Sequence, residues 1–376
     1  MWKIQLSELF HDHREKEAVN EVLDSGWLSM GERSATFEER FSAFIGLEHP
    51  SVFVSSATAG LHLALMALDI GEGDEVIIPG LTFVSDANVV TNLGATPVLA
   101  DSVSINNFNV STEAIVSKIT KKTKAIIVVH FAGFPMELSQ LMNICEEKNI
   151  ALIEDCAHAP GASIDGLHCG TMGHIGFFSF FANKNIAIGE GGMVVSKNME
   201  ILHKIRRLRS HGMSSVTLDR HQGRATSYDV TEIGLNYRAD EIRAAIGIVQ
   251  LEKVMEGNLK RKEIFMEYVR IFSGSPIKIA FSKLPPHYIA SYHIACSVLP
   301  EKVDRQSIIE NLRENGIQTS IHYPSFKKFS AYKKIFRDSE LVTVDQICSR
   351  ELTLPLHPNM SLEQAGEVAS TLLKAL

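Results

Sequence analysis

I-A-L-I-E-D-C-A-H-A-P-G-A, from Ile150 to Ala162, opens on an apolar run, reaches two acids at Glu154 and Asp155, and then breaks into small residues and proline. An apolar run this short, closed by turn residues, reads as a buried β-strand. In an open α/β sheet, ligands are met beyond the carboxyl ends of the strands, which is where Asp155 falls. An aspartate there also caps a following helix or turn, and this segment alone leaves both readings open.

Outward from this strand the pattern repeats. Strands are expected at Val52 to Val54, Glu75 to Ile78, Thr96 to Ala100, Ala125 to His130, Ala151 to Asp155, Gly176 to Phe181 and Met193 to Ser196. Helical stretches of about ten to fifteen residues lie between them, as crossovers between parallel strands require. The fold class is therefore α/β with a mostly parallel sheet between helices. An early helix is marked by a capping box at Thr36 and Glu39, an apolar face of Phe37, Phe41 and Phe44, and a stop at Gly46. From Ala239 a long helical pattern runs through Ile242, Ile246, Val249 and Leu251 toward a second, smaller α+β domain. There a strand is expected near Tyr292 to Leu299, a helix after Asp304, a strand near Gln318 to His322 and a closing helix from Ser361. The division expected is a large domain over 1–245 and a small one over 246–376.

F-F-S-F-F-A-N-K-N-I-A-I-G-E-G-G, Phe177 to Gly192, places Lys184 between an apolar run and a glycine-rich turn. A lysine that forms a Schiff base needs a lowered pKa, hence partial burial and a rigid backbone around it. Phe177, Phe178, Phe180 and Phe181 are expected to supply dry surroundings. A strand-edge lysine with its head in water is the competing reading. Asp155 gains a specific task if Lys184 carries pyridoxal phosphate (PLP), whose ring nitrogen must stay protonated for the ring to act as an electron sink. At contact distance and an effective dielectric near 20, such a pair is worth roughly 4 kcal/mol, or about three pKa units before desolvation. A third piece, S-V-F-V-S-S-A-T-A-G-L-H-L-A-L-M-A-L from Ser51, reads as a strand, a turn of small residues and a helix starting near Thr58. Amides at such a helix N-terminus form an anion site suited to a phosphate, although a strand, small turn and helix are also common α/β architecture, and this segment alone leaves both readings open.

These residues carry a resemblance. S-G-W-L-S-M-G at Ser25, S-S-A-T-A-G-L-H-L-A-L at Ser55, G-D-E-V-I-I-P-G-L-T-F-V at Gly73, V-V-H-F-A-G at Val128 and E-D-C-A-H-A at Glu154 stand in this order. S-F-F-A-N-K-N at Ser179, G-L-N-Y-R-A-D-E-I-R-A-A-I-G at Gly234 and L-P-L-H-P at Leu354 complete the set. Nearly end to end, the chain resembles the DegT/StrS family of nucleotide-sugar aminotransferases, PLP enzymes of fold type I.

The resemblance implies that Lys184 forms the Schiff base and Asp155 pairs with the pyridine nitrogen. His158 falls near the ring phenolate oxygen, Phe83 stacks on one face of the ring, and Ala157 lies on the other. Ser179, Ala57 and Thr58 hold the phosphate, and Asn236 reaches it from the neighbouring subunit of a homodimer with shared active sites. Ser29 and Gly31 are candidates to meet the sugar. His293, His322 and Tyr323 fall at the ends of expected strands of the small domain, where His322 with Tyr323 could face the sugar; a core or surface role for each is the competing reading.

The resemblance further implies transfer of an amino group from L-glutamate to a nucleotide-linked keto-sugar, with pyridoxamine phosphate between the two half-reactions. The motifs lean toward C4 of a UDP-4-keto sugar, in aminosugar or cell-envelope polysaccharide biosynthesis. Two alternatives share the fold. One is a PLP-dependent dehydratase, which carries histidine where this chain has Lys184; the other is a noncatalytic regulator, which would lose site residues that are present here. The chain departs from the family at Ile186, Ala187 and Ile188, where threonines are common, and at Phe134, expected to alter packing near the sugar.

The remaining bounds agree. The 376 residues can bury a large core, and a net charge of −7 with scattered signs gives no reason to expect nucleic-acid or lipid binding. No apolar window is long enough to span a membrane and the N-terminus is polar, so a cytoplasmic location is expected. The five cysteines form no disulfide framework. Cys156, His158, His168 and Cys169 match no standard zinc spacing, and no metal is expected. The polar stretch from Ser210 to Asp229, with His211, Gly212, Arg220, His221, Arg224 and Tyr228, reads as a long irregular loop whose basic residues could meet a diphosphate or simply be solvated.

Overall fold

A computed structural model describes residues 2–214, 227–336 and 339–376. Its central sheet holds β1 (Val52–Val54), β2 (Glu75–Pro79), β3 (Thr96–Ala100), β4 (Thr123–Val129), β5 (Ala151–Asp155), β6 (Ile175–Ser179) and β7 (Gly192–Val195). Their spatial order is β1-β7-β6-β5-β4-β2-β3. Strand β5 runs parallel to β4 and β6, and β2 parallel to β4 and β3, whereas β7 is antiparallel to both its neighbours. All seven expected strands are present. β6 ends at Ser179 rather than Phe181, because Phe180 and Phe181 already belong to the turn that carries Lys184.

Apart from Lys124 and Ala151 near the starts of β4 and β5, the central strands are buried, as a sheet covered on both faces demands. Alternation along β6 sends Phe177 into the core under the helix Ala57–Ala67, and Phe178 into a second core with Phe37, Phe41, Phe53 and Phe180. The aromatic rings of that second core meet mostly edge to face, for example Phe41 and Phe178 with centroids 4.9 Å apart. Ile186 and Ile188 are buried in it, so the departures after Lys184 serve packing.

The early helix spans Glu32–Phe44, its N-cap at Gly31 five residues before the Thr36 that the capping box suggested. Thr36 sits inside it, its hydroxyl donating to the Glu32 carbonyl. The cap comes from far away: the buried carboxylate of Glu241 accepts from the amides of Gly31, Arg33 and Ser34 at 2.8, 2.7 and 2.9 Å, and from the Ser34 hydroxyl at 2.6 Å. Orphan amides of a first turn need an acceptor, and no local side chain supplies one here.

The pattern from Ala239 becomes a 31-residue helix, Glu241–Ile271, capped by Asp240 and about 46 Å long. The expected boundary between 245 and 246 falls within it. Beyond lies a three-stranded antiparallel sheet of β8 (Lys278–Ile279), β9 (Ala295–Val298) and β10 (Glu351–Leu354), with helices Arg305–Glu314, Val342–Arg350 and Leu362–Lys374. The helices after Asp304 and Ser361 start where expected. β9 is shorter than the run Tyr292 to Leu299. The strand expected near Gln318 to His322 is absent: Ile317 and Ser320 make single bridges, to Ile4 and Thr353, and the chain then turns to deliver His322. The first residues of the chain pack here too, Lys3 and Ile4 donating to the Gly316 carbonyl. Of the polar stretch 210–229, Arg220, His221 and Arg224 lie outside the described residues; Ser214 and Asp229, on either side, are linked by a backbone hydrogen bond of 2.9 Å. No described helix is long and apolar enough to cross a membrane.

Candidate active site

Beyond the carboxyl ends of β4, β5 and β6 opens a cavity of about 360 Å³, within the size range of small-molecule sites. Ala57, Thr58, Phe83, Asp155, Ala157, His158, Ser179, Lys184, His322 and Tyr323, ten of the residues singled out from sequence, line it. Ser29, Gly31 and Asn236 do not. Asn236 is exposed and bridges Ser210, Ser29 is exposed and bridges Asp240, and Gly31 is the buried N-cap held by Glu241.

Asp155 is the last residue of β5. Its carboxylate accepts from the Ala157 amide at 2.8 Å, which fixes it above the strand end. Burial pushes this carboxyl up; the Ala157 hydrogen bond and the Lys184 charge pull the other way. Glu154 points to the opposite face and is spent on structure, accepting from His130 Nε2 at 2.8 Å and from the amides of Gly170, Met172 and Gly173. His130, Glu154 and Cys156 bring potential metal-ligand atoms within 4.8 Å of one another, a different set from the one the sequence suggested. The Glu154 carboxylate is already saturated by four donors, so the cluster is self-sufficient as a hydrogen-bonded core.

Lys184 sits in the turn between β6 and β7, which is pinned by Lys184 N to Phe181 O, Ile188 N to Phe180 O and Phe180 N to Gly191 O. The next side chain, Asn185, donates to Asn258 and to the Ser291 carbonyl, clamping the turn from below. Burial lowers the Lys184 amine to about 8, with Asp155 opposing the shift. Three of the four expected phenylalanines are buried around this turn. Phe181 is not: it is 44% exposed and lines the cavity, where Phe83, 54% exposed, also stands. Two half-bare aromatic rings in one cavity leave apolar faces for a flat ligand.

Opposite the amine lies the N-terminus of the helix Ala57–Ala67. The Ser56 hydroxyl caps the Ala59 amide, while the amides of Ala57 and Thr58 precede any intrahelical acceptor. Gly192 of β7 makes room for this turn, since a Cβ there would stand 2.6 Å from the Ala57 nitrogen.

On the remaining side is a histidine cluster that the sequence disclosed only in part. His158 Nδ1 accepts from the Ala132 amide at 3.2 Å, so its proton is on Nε2, which faces the Tyr323 hydroxyl at 3.3 Å. His293 packs against His158 with ring centroids 4.5 Å apart, and its Nδ1 meets Asn185 Oδ1 at 2.9 Å. Burial and the nearby Lys184 charge hold His158 and His293 well below the usual imidazole range, and His322 is lowered to about 3. All three are therefore neutral at pH 7. Thr82, Ser85, Asn183 and Glu190 also line the cavity and were not singled out; Thr82 and Asn183 adjoin Phe83 and Lys184, Ser85 lies two beyond Phe83, and Glu190 sits in the glycine-rich turn after Lys184, which are the signals that could have found them. Phe134 lies elsewhere, stacked on Phe281 at 4.4 Å in the core, so the expectation that it alters packing around the substrate is corrected.

The cavity thus combines a weakly basic amine, a buried carboxylate, an amide-rich helix end, an uncharged imidazole donor and exposed aromatic faces. Solved structures share this architecture. An aminotransferase TlmJ from Streptoalloteichus hindustanus matches with a TM-score of 0.92 at 31% identity, over 99% of this chain and 98% of that one. PseC of Helicobacter pylori, an aminotransferase involved in pseudaminic acid biosynthesis, matches with 0.91 at 30% identity, over 99% and 98%. The putative sugar aminotransferase Spr1654 from Streptococcus pneumoniae, solved in its PLP form, matches with 0.90 at 28% identity, over 99% and 97%. Residues 10–373 match the sequence profile of one family across almost the whole chain, and the chain belongs to that family, the DegT/DnrJ/EryC1/StrS aminotransferases.

Proposed function

We propose that this aminotransferase carries PLP on Lys184 and moves an amino group from L-glutamate to a nucleotide-linked keto-sugar. The observation that carries the reading is the convergence of a lysine with a lowered pKa, a buried aspartate and an open helix N-terminus in one cavity. The residues fit the cofactor: the half-exposed Phe83 offers a face for the ring, and the Ala57 and Thr58 amides with Ser179 offer an anion cradle. When bound, PLP supplies the electron sink and takes up the amino group between half-reactions.

The chain's own residues have separable tasks. Asp155 keeps the ring nitrogen protonated. Lys184, with its amine near 8, is neutral often enough at physiological pH to accept a proton and charged often enough to return it. His158, with its proton fixed on Nε2, donates to the ring oxygen. Asn236 is exposed and free to reach a second copy's phosphate in a homodimer. His322 and Tyr323 face the sugar, with a UDP-4-keto sugar aminated at C4 as the favoured substrate.

The test is the visible spectrum of the purified protein reconstituted with PLP, followed by L-glutamate and then by candidate keto-sugars. A cofactor band that glutamate bleaches and a UDP-4-keto sugar restores supports the reading. Bound cofactor that ignores glutamate would overturn the donor assignment, and failure to bind PLP would overturn the whole reading.

A further inference from the structure

Behind His322, on the side away from the cavity, stands a buried acid that the proposed chemistry does not use. Glu351, the first residue of β10, has no exposed surface. It holds His322 twice. Its Oε2 accepts the His322 backbone amide at 2.8 Å, and its Oε1 lies 2.5 Å from the Thr353 hydroxyl, which meets His322 Nδ1 at 2.7 Å. Glu351 and Thr353 lie two apart on β10, so both side chains project from one face toward the same ring. No described residue makes an ion pair with Glu351; its nearby cation, Arg305, spends its guanidinium on the carbonyls of Cys348 and Glu351.

A hydroxyl has one proton to give. When Glu351 is ionised, Thr353 donates to it and accepts from His322 Nδ1, which leaves Nε2 as a bare acceptor at the cavity. When Glu351 is protonated, both hydrogen bonds reverse and the ring proton moves to Nε2. Burial pushes the Glu351 carboxyl up to about 8, so its protonated form is populated at neutral pH.

We propose that Glu351 is a positioning residue for the sugar half-reaction: through Thr353 it sets which nitrogen of His322 carries the proton, and so whether the cavity offers the keto-sugar a donor or an acceptor. The inference rests on the proposed aminotransfer to a keto-sugar. In the donor state the sugar oxygen can take the Nε2 proton while Nδ1 takes the Thr353 proton and Thr353 takes the Glu351 proton. Three bonds to hydrogen form and three break. The net change is one proton delivered from the carboxyl to the sugar oxygen, with the imidazole neutral before and after.

The test uses the PLP-loaded protein and follows each half-reaction separately in Glu351→Gln. The expected result is a loss of 10-fold to 100-fold in the keto-sugar half-reaction, with the glutamate half-reaction changed less than threefold. Thr353→Val should reproduce the loss, and Thr353→Ser, which returns the hydroxyl, should recover most of it; this pair carries the test if the Gln variant does not fold. Nitrogen-15 spectra of labelled histidine, with His322 identified by its absence in His322→Asn, should show its tautomer balance change in Glu351→Gln. Equal losses in both half-reactions, or an unchanged tautomer balance, would overturn the proposal. A wild-type protein inert toward glutamate and sugar would overturn the functional reading instead, and the histidine spectra would still decide whether Glu351 controls the ring.

Discussion

Glu154 and Asp155 are chemically near-identical neighbours with opposite fates, because successive side chains of a strand face opposite ways. Glu154 is saturated by an imidazole and three amides, whereas Asp155 has one amide and an open side toward the cavity. Asp155→Asn should therefore leave the fold intact and remove the charge that holds the ring proton, a difference of roughly 4 kcal/mol at an effective dielectric near 20. The expected outcome is retained cofactor binding with the glutamate half-reaction slowed on the order of 100-fold or more, read by stopped-flow absorbance. Lys184 yields a prediction in the cofactor-free protein. Its amine sits near 8 when folded against an ordinary value of 10.5, so the unfolded chain binds more protons between those values and stability rises with pH across that window. Lys184→Met should be more stable than wild type at pH 7. Its advantage should shrink as pH climbs from about 8 toward 10.5, as urea titrations at pH 7 and pH 9.5 would measure.

At the scale of elements, the early helix shows what a local reading misses. Thr36 and Glu39 carry the capping pattern, yet the helix begins at Glu32 because Glu241, 210 residues from Gly31, accepts its first amides. Nothing in the local sequence encodes that acceptor. Glu241→Ala should cost on the order of 2 to 4 kcal/mol, since it strands several buried donors at once. Thermal unfolding would register it, with Glu241→Gln losing less. The strand expected at Gln318 to His322 failed for a related reason. Its alternation is real, but Gln318 spends its backbone amide on Ile4 and its side chain on the Leu6 amide, so the segment ties the chain's start down instead of extending a sheet. By contrast the seven strands of the main sheet were legible, because buried parallel strands are apolar runs punctuated by turn residues. Lys184, Asp155 and the Ala57 turn, which the structure brings to one cavity, stand at or just beyond the ends of such runs, which is why the sequence points to them. Glu351 was not: it acts through Thr353 on a histidine 29 positions earlier, a relation that exists only once β10 is formed.

At the scale of the whole molecule, the segment that carries Asn236 also bears Val230 at 54% and Ile233 at 93% exposure. Isolated apolar side chains in water are unremarkable, but two on the segment proposed to reach a second copy's phosphate suit a homodimer contact. Wild type should sediment at twice the chain mass. Ile233→Glu should shift it toward monomer and weaken PLP binding at least 10-fold, as fluorescence titration would measure; a monomeric wild type with full cofactor affinity would remove the dimer from the proposal.

The antiparallel strand β7 carries a consequence for synthesis. β1, the edge strand whose turn forms the proposed anion cradle, has its ladder with β7, apart from a single bridge from Val54 to the still later Arg238, so Val52–Val54 leave the ribosome about 140 residues before Gly192–Val195 can receive them. The first residues of the chain wait longer still, for Gly316 and Gln318. A nascent chain therefore holds an apolar, unpartnered edge through more than a third of its translation, exposed to any chaperone that reads such edges. Gly192 of β7 lies against the Ala57 turn, so the proposed anion cradle is complete only once β7 is in place, and cofactor capture is expected to be a late event in synthesis.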